Sequence, residues 1–148
     1  MNLLVTTPLA IIVGASDVVH VRAEDETGAF GILPGHADFL TALSISVATW
    51  NDQMGRKHHV AVRGGMLQVL SGDTITIATR EAIVSDDLAR LQTEVLTAFR
   101  RETEEEKSAR TDAQRLYLAA IRQINRFLNS ERTLAVPGRE NHRSPKEP

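Results

Sequence analysis

The absence of helix breakers from one half of the chain constrains its fold more than any other feature. Residues 85 to 130 contain neither glycine nor proline, whereas the 84 residues before them are divided by glycine-containing turns. Because glycine and proline interrupt regular helices, this contrast predicts a strand-rich first part and a helical second part. We therefore expect two domains, at residues 1–84 and 85–130, followed by a tail at residues 131–148.

The first 84 residues show the two-residue alternation of half-buried strands. In the segment VVHVRAE, the pattern places Val19, Val21 and Ala23 on one face, and the segment DTITIAT alternates in the same way. Turn signals separate these runs, and Gly64-Gly65 is interpreted as a bend between two strands. The breaks are too short for helical crossovers, which excludes a parallel sheet and predicts an antiparallel β-sandwich or flattened barrel.

The second part carries the spacing of amphipathic helices. Ser85-Asp86-Asp87 supplies a cap and negative charge for a helix start. Two apolar stripes follow, the first formed by Leu88, Leu91, Val95 and Phe99 and the second by Leu116, Ala120, Ile121, Ile124, Phe127 and Leu128. A polar segment with weak helix formers separates the stripes, which predicts an antiparallel hairpin joined near residues 104–111. One long helix is the alternative, because nothing in the segment forces a break. The polar tail contains three prolines and is predicted to be disordered.

Composition excludes several classes of protein. The formal net charge of −2 gives no electrostatic surface for nucleic acid or anionic lipid. No cysteine is present, so the chain has no disulfide, thiolate metal site or cysteine nucleophile. The apolar run PLAIIVG is too short to span a bilayer, and no basic residue precedes it as in a signal peptide. We expect a cytoplasmic protein without direct membrane insertion, which reaches a membrane only through a partner.

No group of residues has the pattern of a catalytic, cofactor or metal site. His58 and His59 are neighbours in a predicted strand, so their side chains point to opposite faces and do not converge on a metal ion. Gly64-Gly65 lacks the following lysine and hydroxyl residue of a phosphate-binding loop. The sequence therefore predicts a non-catalytic protein, and a small hydrolase is the disfavoured alternative.

One loop is unusually apolar for a surface turn. In GAFGILPGHADFLTAL, residues 28–43, the side chains of Phe30, Ile32 and Leu33 run directly into the turn Pro34-Gly35-His36. Either this loop folds back onto its own core, or something outside the chain covers it. His36 is interpreted as a loop-structuring residue or a partner contact, with catalysis as the remaining alternative.

This loop carries a family resemblance. Gly28, the run from Gly31 to Ala37 and the run from Leu40 to Leu43 match the signature of the epsilon subunit of F-type rotary ATP synthases. The segment VAVRGGMLQVLSGDTITIATREA, residues 60–82, resembles the family's strand, Gly-Gly turn, strand, turn, strand run. The order of parts also agrees, and the resemblance spans roughly residues 1 to 130.

The resemblance implies a non-catalytic central-stalk subunit that couples the gamma subunit to the c ring. Its helices would extend toward the alpha and beta subunits and inhibit ATP hydrolysis, at the cytoplasmic face of the bacterial inner membrane. The implied contact residues for gamma and the c ring are Gly28, Ala29, Phe30, Gly31, Ile32, Leu33, Pro34, Gly35 and His36. Many members have an acidic residue and a leucine where this chain has Ala29-Phe30, so the contact here would be more apolar.

Two finer expectations follow from the helical segment. Members that bind ATP begin the first helix with Ile/Leu-Asp-x-x-Arg-Ala. Here Asp87 and Arg90 keep the spacing, whereas Asp86 and Leu91 depart from the pattern. The resemblance thus implies ATP as a regulatory ligand, whereas the departures at Asp86 and Leu91 argue against ATP binding.

The helical segment looks closer to the epsilon-like subunit of the alternate, N-type bacterial ATPases. A free-standing β-sandwich binding module with a helical oligomerisation hairpin is the alternative function.

Overall fold

The computed structural model describes residues 1–134, which form eight strands followed by a helical segment. The strands are β1 (Asn2–Thr6), β2 (Ile11–Ala15), β3 (Val18–Asp25), β4 (Gly28–Ile32), β5 (Phe39–Asp52), β6 (Lys57–Leu70), β7 (Thr74–Ala78) and β8 (Ala82–Val84), and the helices are α1 (Leu88–Arg90), a π-helical turn (Leu91–Val95) and α2 (Leu96–Leu134). The last strand, β8, ends at Val84, and α1 begins at Leu88. By residue contacts, one compact unit comprises Met1–Glu104 and a second begins at Glu105.

The strands pair in the order β2-β1-β7-β6-β5-β3-β4, with β8 on β6. Within the described residues every pairing is antiparallel except that of β1 with β7, which is parallel. The sheet is thus antiparallel, as predicted, except for this one parallel pair, which the sequence did not indicate. Short connections restrict the pairing of consecutive strands only. β1 and β7 are separated along the chain by β2 to β6, and this long connection allows them to pair in parallel.

The Gly64-Gly65 bend lies inside β6 and not between two strands. Both glycines have positive φ, 68° and 113°, and the pairing with β5 keeps one register across them, from Leu43↔Gly65 to Ile45↔Arg63. A Cβ atom on Gly65 would lie 2.1 Å from the carbonyl oxygen of Ala78. The two glycines therefore allow a local bend within one continuous strand, and glycine is required at Gly65 because β7 approaches the backbone closely.

A bulge in β3 changes which side chains enter the core. β3 shifts register against β5 between Val18 and His20, so that Val18 is 1% exposed and Val19 is 39% exposed. The predicted face of Val19, Val21 and Ala23 is thus correct for the last two residues and wrong for Val19, because the extra residue reverses the alternation. In β7 the predicted inward face, Ile75, Ile77 and Thr79, is confirmed.

The helical segment begins as predicted. Asp87 is the N-cap, and its carboxylate accepts a hydrogen bond from the Arg90 backbone amide at 3.1 Å. Leu91, Val95 and Phe99 of the first stripe are buried against Ala61, Ile45 and Val47 of the sheet. Leu96 is also buried, which the sequence did not predict. The π-helical turn widens the helix by one residue per turn, so Leu91 and Leu96 both reach the sheet.

The predicted hairpin is not formed, because α2 runs without a break from Leu96 to Leu134. The alternative of one long helix describes the structure. The weak helix formers between the stripes each cost only a few tenths of a kcal/mol, which does not end a helix that lacks glycine and proline. The predicted tail begins within α2, and its remaining residues, 135–148, lie outside the described residues. No helix in the described part of the chain is long and apolar enough to cross a bilayer.

Candidate functional site

The apolar loop divides its side chains between the core and the surface. Ile32, the last residue of β4, is fully buried, and Phe30 is half-buried against the same core. Leu33 is 59% exposed and Leu40, at the start of β5, is 61% exposed. The question that the sequence raised therefore has two answers, since part of the loop folds back and part stays uncovered.

The loop is fixed against the turn between β6 and β7. The Gly35 amide donates to the Gly72 carbonyl at 2.8 Å, and the Ser71 amide donates to the Asp38 carboxylate at 2.7 Å. A Cβ atom on Gly72 would lie 2.8 Å from the Gly35 Cα, and Gly72 has a positive φ of 65°. The tight approach of two backbones thus holds the exposed leucines in one place.

His36 has a structural place in this loop. Its Nδ1 donates to the carbonyl oxygen of Ala37 at 2.7 Å. Its ring meets Phe39 edge-on, with centroids 5.8 Å apart, and Phe39 meets Phe30 in the same way at 5.6 Å. Of the three predicted roles for His36, the structure provides the loop-structuring one.

The other end of the motif is tied down by Asp25. Its carboxylate accepts hydrogen bonds from the Thr27 amide and hydroxyl at 2.8 and 2.6 Å and from the Thr41 hydroxyl at 2.8 Å. These bonds, led by that from the Thr27 hydroxyl, lower the pKa of Asp25. Asp25 therefore joins the β3–β4 turn to β5. Sequence reasoning missed Thr41, Asp38 and Gly72, because their partners are distant along the chain.

The exposed leucines continue into an apolar strip on the sheet. Ala42 of β5 pairs with Met66 of β6, and Leu40 lies one pair further along on the same face. Met66 and Leu70, which alternate on β6, are 45% and 43% exposed. We call Leu33, Leu40, Met66 and Leu70 the loop-side apolar surface. Exposed apolar side chains gathered in this way are typical of a docking surface.

The predicted ATP ligands serve the start of the helix. Asp87 caps the first turn, and the guanidinium of Arg90 forms an exposed ion pair with Glu94 at 3.4 Å. Both side chains thus have partners of their own within the helix. A role in binding ATP stays a prediction.

The histidine pair is split between two faces, as predicted. His58 stacks on Trp50 and bonds to Asp52 at 3.2 Å, whereas His59 contacts the Thr49 hydroxyl at 2.8 Å. Nowhere in residues 1–134 do three histidine, aspartate or glutamate side chains lie close enough to hold a metal ion.

A buried arginine, which sequence reasoning missed, attaches the helix to the sheet. The Arg63 side chain is 9% exposed and lies 3.8 Å from Glu81 and 3.5 Å from Glu102, measured from Nη1 to the carboxylate oxygens. Its Nε donates to the Thr103 hydroxyl at 3.1 Å. The contacts of Arg63 thus reach Glu102 and Thr103, which follow Phe99, the last buried residue of the first stripe.

The second stripe lies after Glu105, and its apolar side chains are exposed. Its large side chains are between 36% and 73% exposed, namely Leu116, Ile121, Ile124, Phe127 and Leu128. Tyr117 and Leu118 beside them are exposed as well.

A β-sandwich that carries a hydrogen-bonded loop with exposed apolar side chains, followed by a helix with an exposed apolar stripe, is typical of a protein that docks onto others. The particular family is identified by comparison with known sequences. Residues 1–85 match the family "ATP synthase, Delta/Epsilon chain, beta-sandwich domain", and the chain belongs to this family. The predicted resemblance to epsilon subunits is confirmed, and so is the prediction of a non-catalytic subunit of an ATP synthase.

Relatives match along most of the chain. It is 40% identical over 132 residues to ATP synthase epsilon chain 2 of Paraburkholderia xenovorans, which covers 89% of this chain and 95% of the relative. It is 38% identical over 129 residues to ATP synthase epsilon chain 2 of Cereibacter sphaeroides, covering 87% and 88%.

Solved structures share the fold. A chain of the Euglena gracilis mitochondrial ATP synthase OSCP/F1/c-ring structure superposes with a TM-score of 0.53 at 23% identity, covering 55% of this chain and 51% of that one. A chain of the Tetrahymena thermophila mitochondrial ATP synthase central stalk/c-ring structure gives 0.50 at 12% identity, covering 73% and 89%.

Proposed function

We propose that the chain is a central-stalk subunit of a rotary ATP synthase that couples the gamma subunit to the ring of c subunits. The observation that carries this proposal is the loop-side apolar surface on a loop held by Gly35, Gly72 and Asp38. A rigid apolar surface binds a partner with little loss of conformational entropy, which suits a part that transmits torque.

The two parts of this surface suit two partners. The loop, residues 28–36, contacts the c ring, and the strip on β5 and β6 contacts gamma. Because Ala29 and Phe30 carry no charge, the loop contact depends on apolar burial and is insensitive to salt.

The helix provides the regulatory part of the proposal. The uncovered second stripe packs along gamma, and in that state the helix contacts the alpha and beta subunits and inhibits ATP hydrolysis. Arginines of the helical segment are suited to acidic surfaces on those subunits, namely Arg90, Arg100, Arg101, Arg115, Arg122 and Arg126. Inhibition then depends on the balance between two placements of the helix.

The helical segment also supports the N-type subtype. The two relatives named epsilon chain 2 match over 132 and 129 residues, so their matches extend through the helical segment. We place the protein at the cytoplasmic face of a bacterial inner membrane, held there by the complex.

Co-purification from membranes tests this function. A tag beyond Pro137 is expected to recover gamma, alpha, beta and c subunits from membranes of the source cells. The variant Leu33→Asp/Leu40→Asp should lose the gamma and c subunits together, because it places charge on exposed apolar positions of both the loop and the strip without disturbing the core.

Met54→Asp is the matched control, since Met54 is 81% exposed and lies in the β5–β6 turn, at the opposite end of the β5–β6 pair from Leu40. It should recover the same subunits as the unmodified protein. Recovery of the tagged chain alone, or as a stable homo-oligomer, would contradict the proposal and favour the free-standing binding module.

A further inference from the structure

A basic cavity lies on the face of the sheet that carries the start of the helix. The pairing of β3, β5 and β6 brings two rows of side chains together, His20–Asn51–Lys57 in one row and Arg22–Thr49–His59 in the next. Leu88 of α1 closes one side, and the cavity has a volume of about 250 Å³. Four of the six polar side chains in these rows are basic, and no carboxylate lines the cavity.

The strongest cations of this cavity have no protein partner. Within residues 1–134, neither Arg22 nor Lys57 forms an ion pair or a hydrogen bond through its side chain. Asp52, the carboxylate that follows Asn51 in β5, is committed to Arg56 and His58. Arg22 and Lys57 lie on either side of β5 in neighbouring rows, so an anion bound between them would be attracted by both charges.

The remaining lining groups are suited to an oxyanion. His59 is buried, and its Nδ1 is occupied by the Thr49 hydroxyl, which holds the ring in one orientation. The Asn51 amide supplies both donors and an acceptor. A guanidinium and an ammonium group beside neutral donors are the groups that bind phosphate oxygens in proteins.

The size of the cavity selects a small ligand. It is smaller than the roughly 300–1,000 Å³ of pockets that enclose whole small molecules. A neighbouring cavity of about 210 Å³ is also lined by Arg22, but it contains Glu24, which disfavours the extension of an anion in that direction. We propose that the cavity of Arg22, Lys57, Asn51 and His59 binds a free phosphate-type oxyanion, a site that is separate from the docking role.

Amide chemical shifts of the full-length protein, labelled with ¹⁵N, test this site. Inorganic phosphate titrated at constant ionic strength is expected to give saturable shifts at residues 20–22, 49–51 and 57–59. Potassium chloride at the same ionic strength should not. The variant Arg22→Ala/Lys57→Ala should weaken the apparent affinity about tenfold or more, and Lys57→Ala alone should weaken it less.

The variant Arg110→Ala/Arg132→Ala is the control, because it removes the same charge from exposed positions of α2. It should bind phosphate like the unmodified chain, and the spectra themselves report whether each variant is folded. Equal shifts with chloride, or equal affinity in the Arg22→Ala/Lys57→Ala variant, would overturn the proposal. Such a result would instead favour contact of this basic face with an acidic protein surface. Neither result bears on the co-purification of the subunits.

Discussion

The Nε atom of Arg63 donates a hydrogen bond to the hydroxyl of Thr103 at 3.1 Å, which joins the middle of β6 to the helix forty residues further along the chain. The same guanidinium lies near Glu81 and Glu102, so a single buried cation holds the β8 region and the helix together. This contact adds a polar attachment to the apolar packing of Leu91 and Phe99 on the sheet.

Replacing Arg63 with methionine should loosen the helix from the sheet. The change keeps the apolar stem and removes the ion pairs, and Glu81 and Glu102 are exposed enough to regain water. We expect a loss of about 1–2 kcal/mol in the free energy of unfolding and faster amide exchange at residues 96–103. Urea denaturation and hydrogen exchange measure both, and Arg115→Met on the exposed helix is the control. Unchanged exchange would show that apolar packing alone holds the helix.

The Gly35–Gly72 contact predicts a strong penalty for a side chain at Gly72. Gly72→Ala should destabilise the protein by about 1–3 kcal/mol, because it combines a positive φ with a clash against the Gly35 backbone. Gly55→Ala is the matched control, since Gly55 has a φ of 77° and open space around it, so it carries only the backbone strain. Thermal unfolding of the two variants compares them. Equal losses would mean that the close approach of the loop is not a constraint.

Asp52 predicts a specific acid sensitivity. The hydrogen bond from His58, together with Arg56, lowers the pKa of Asp52 from 3.8 to about 2 in the folded protein. A lowered pKa means that the carboxylate stabilises the fold fully above pH 3.8 and that this contribution is lost as the pH falls toward 2. The unfolding free energy of the unmodified protein should therefore drop more steeply between pH 4 and 2 than that of Asp52→Asn. Parallel curves from chemical denaturation would refute this role.

The two apolar stripes of the helical segment should differ in their contribution to stability. Leu91 is fully buried, so Leu91→Ala should cost about 2–4 kcal/mol in the free energy of unfolding. Leu116 is 73% exposed, so Leu116→Ala should change it by about 0.5 kcal/mol or less. Denaturant titration of the isolated protein compares the two. A large effect at Leu116 would indicate that the second stripe packs against the protein in solution.

Much of the fold was predictable because it depends on patterns within a few residues. The division into strands and helix follows from turn residues and from periods of two and 3.6, which local sterics impose on any chain. The Asp87 cap and the burial of Leu91, Val95 and Phe99 were predicted in the same way. The loop motif identified the family, although its exposed and buried side chains could not be told apart.

Tertiary structure decided the features that join distant residues. The bulge at Val18, the close approach of β7 to Gly65, the parallel pairing of β1 with β7 and the Arg63 network all depend on which elements meet. The π-helical turn that buries Leu96 depends on the surface to which the helix packs. The sequence by itself determined the division into strands and helix and most of their apolar faces, because these rest on local backbone geometry. Only the folded chain set their register and attachments, since close contacts between backbones far apart in sequence exist only after the elements have paired.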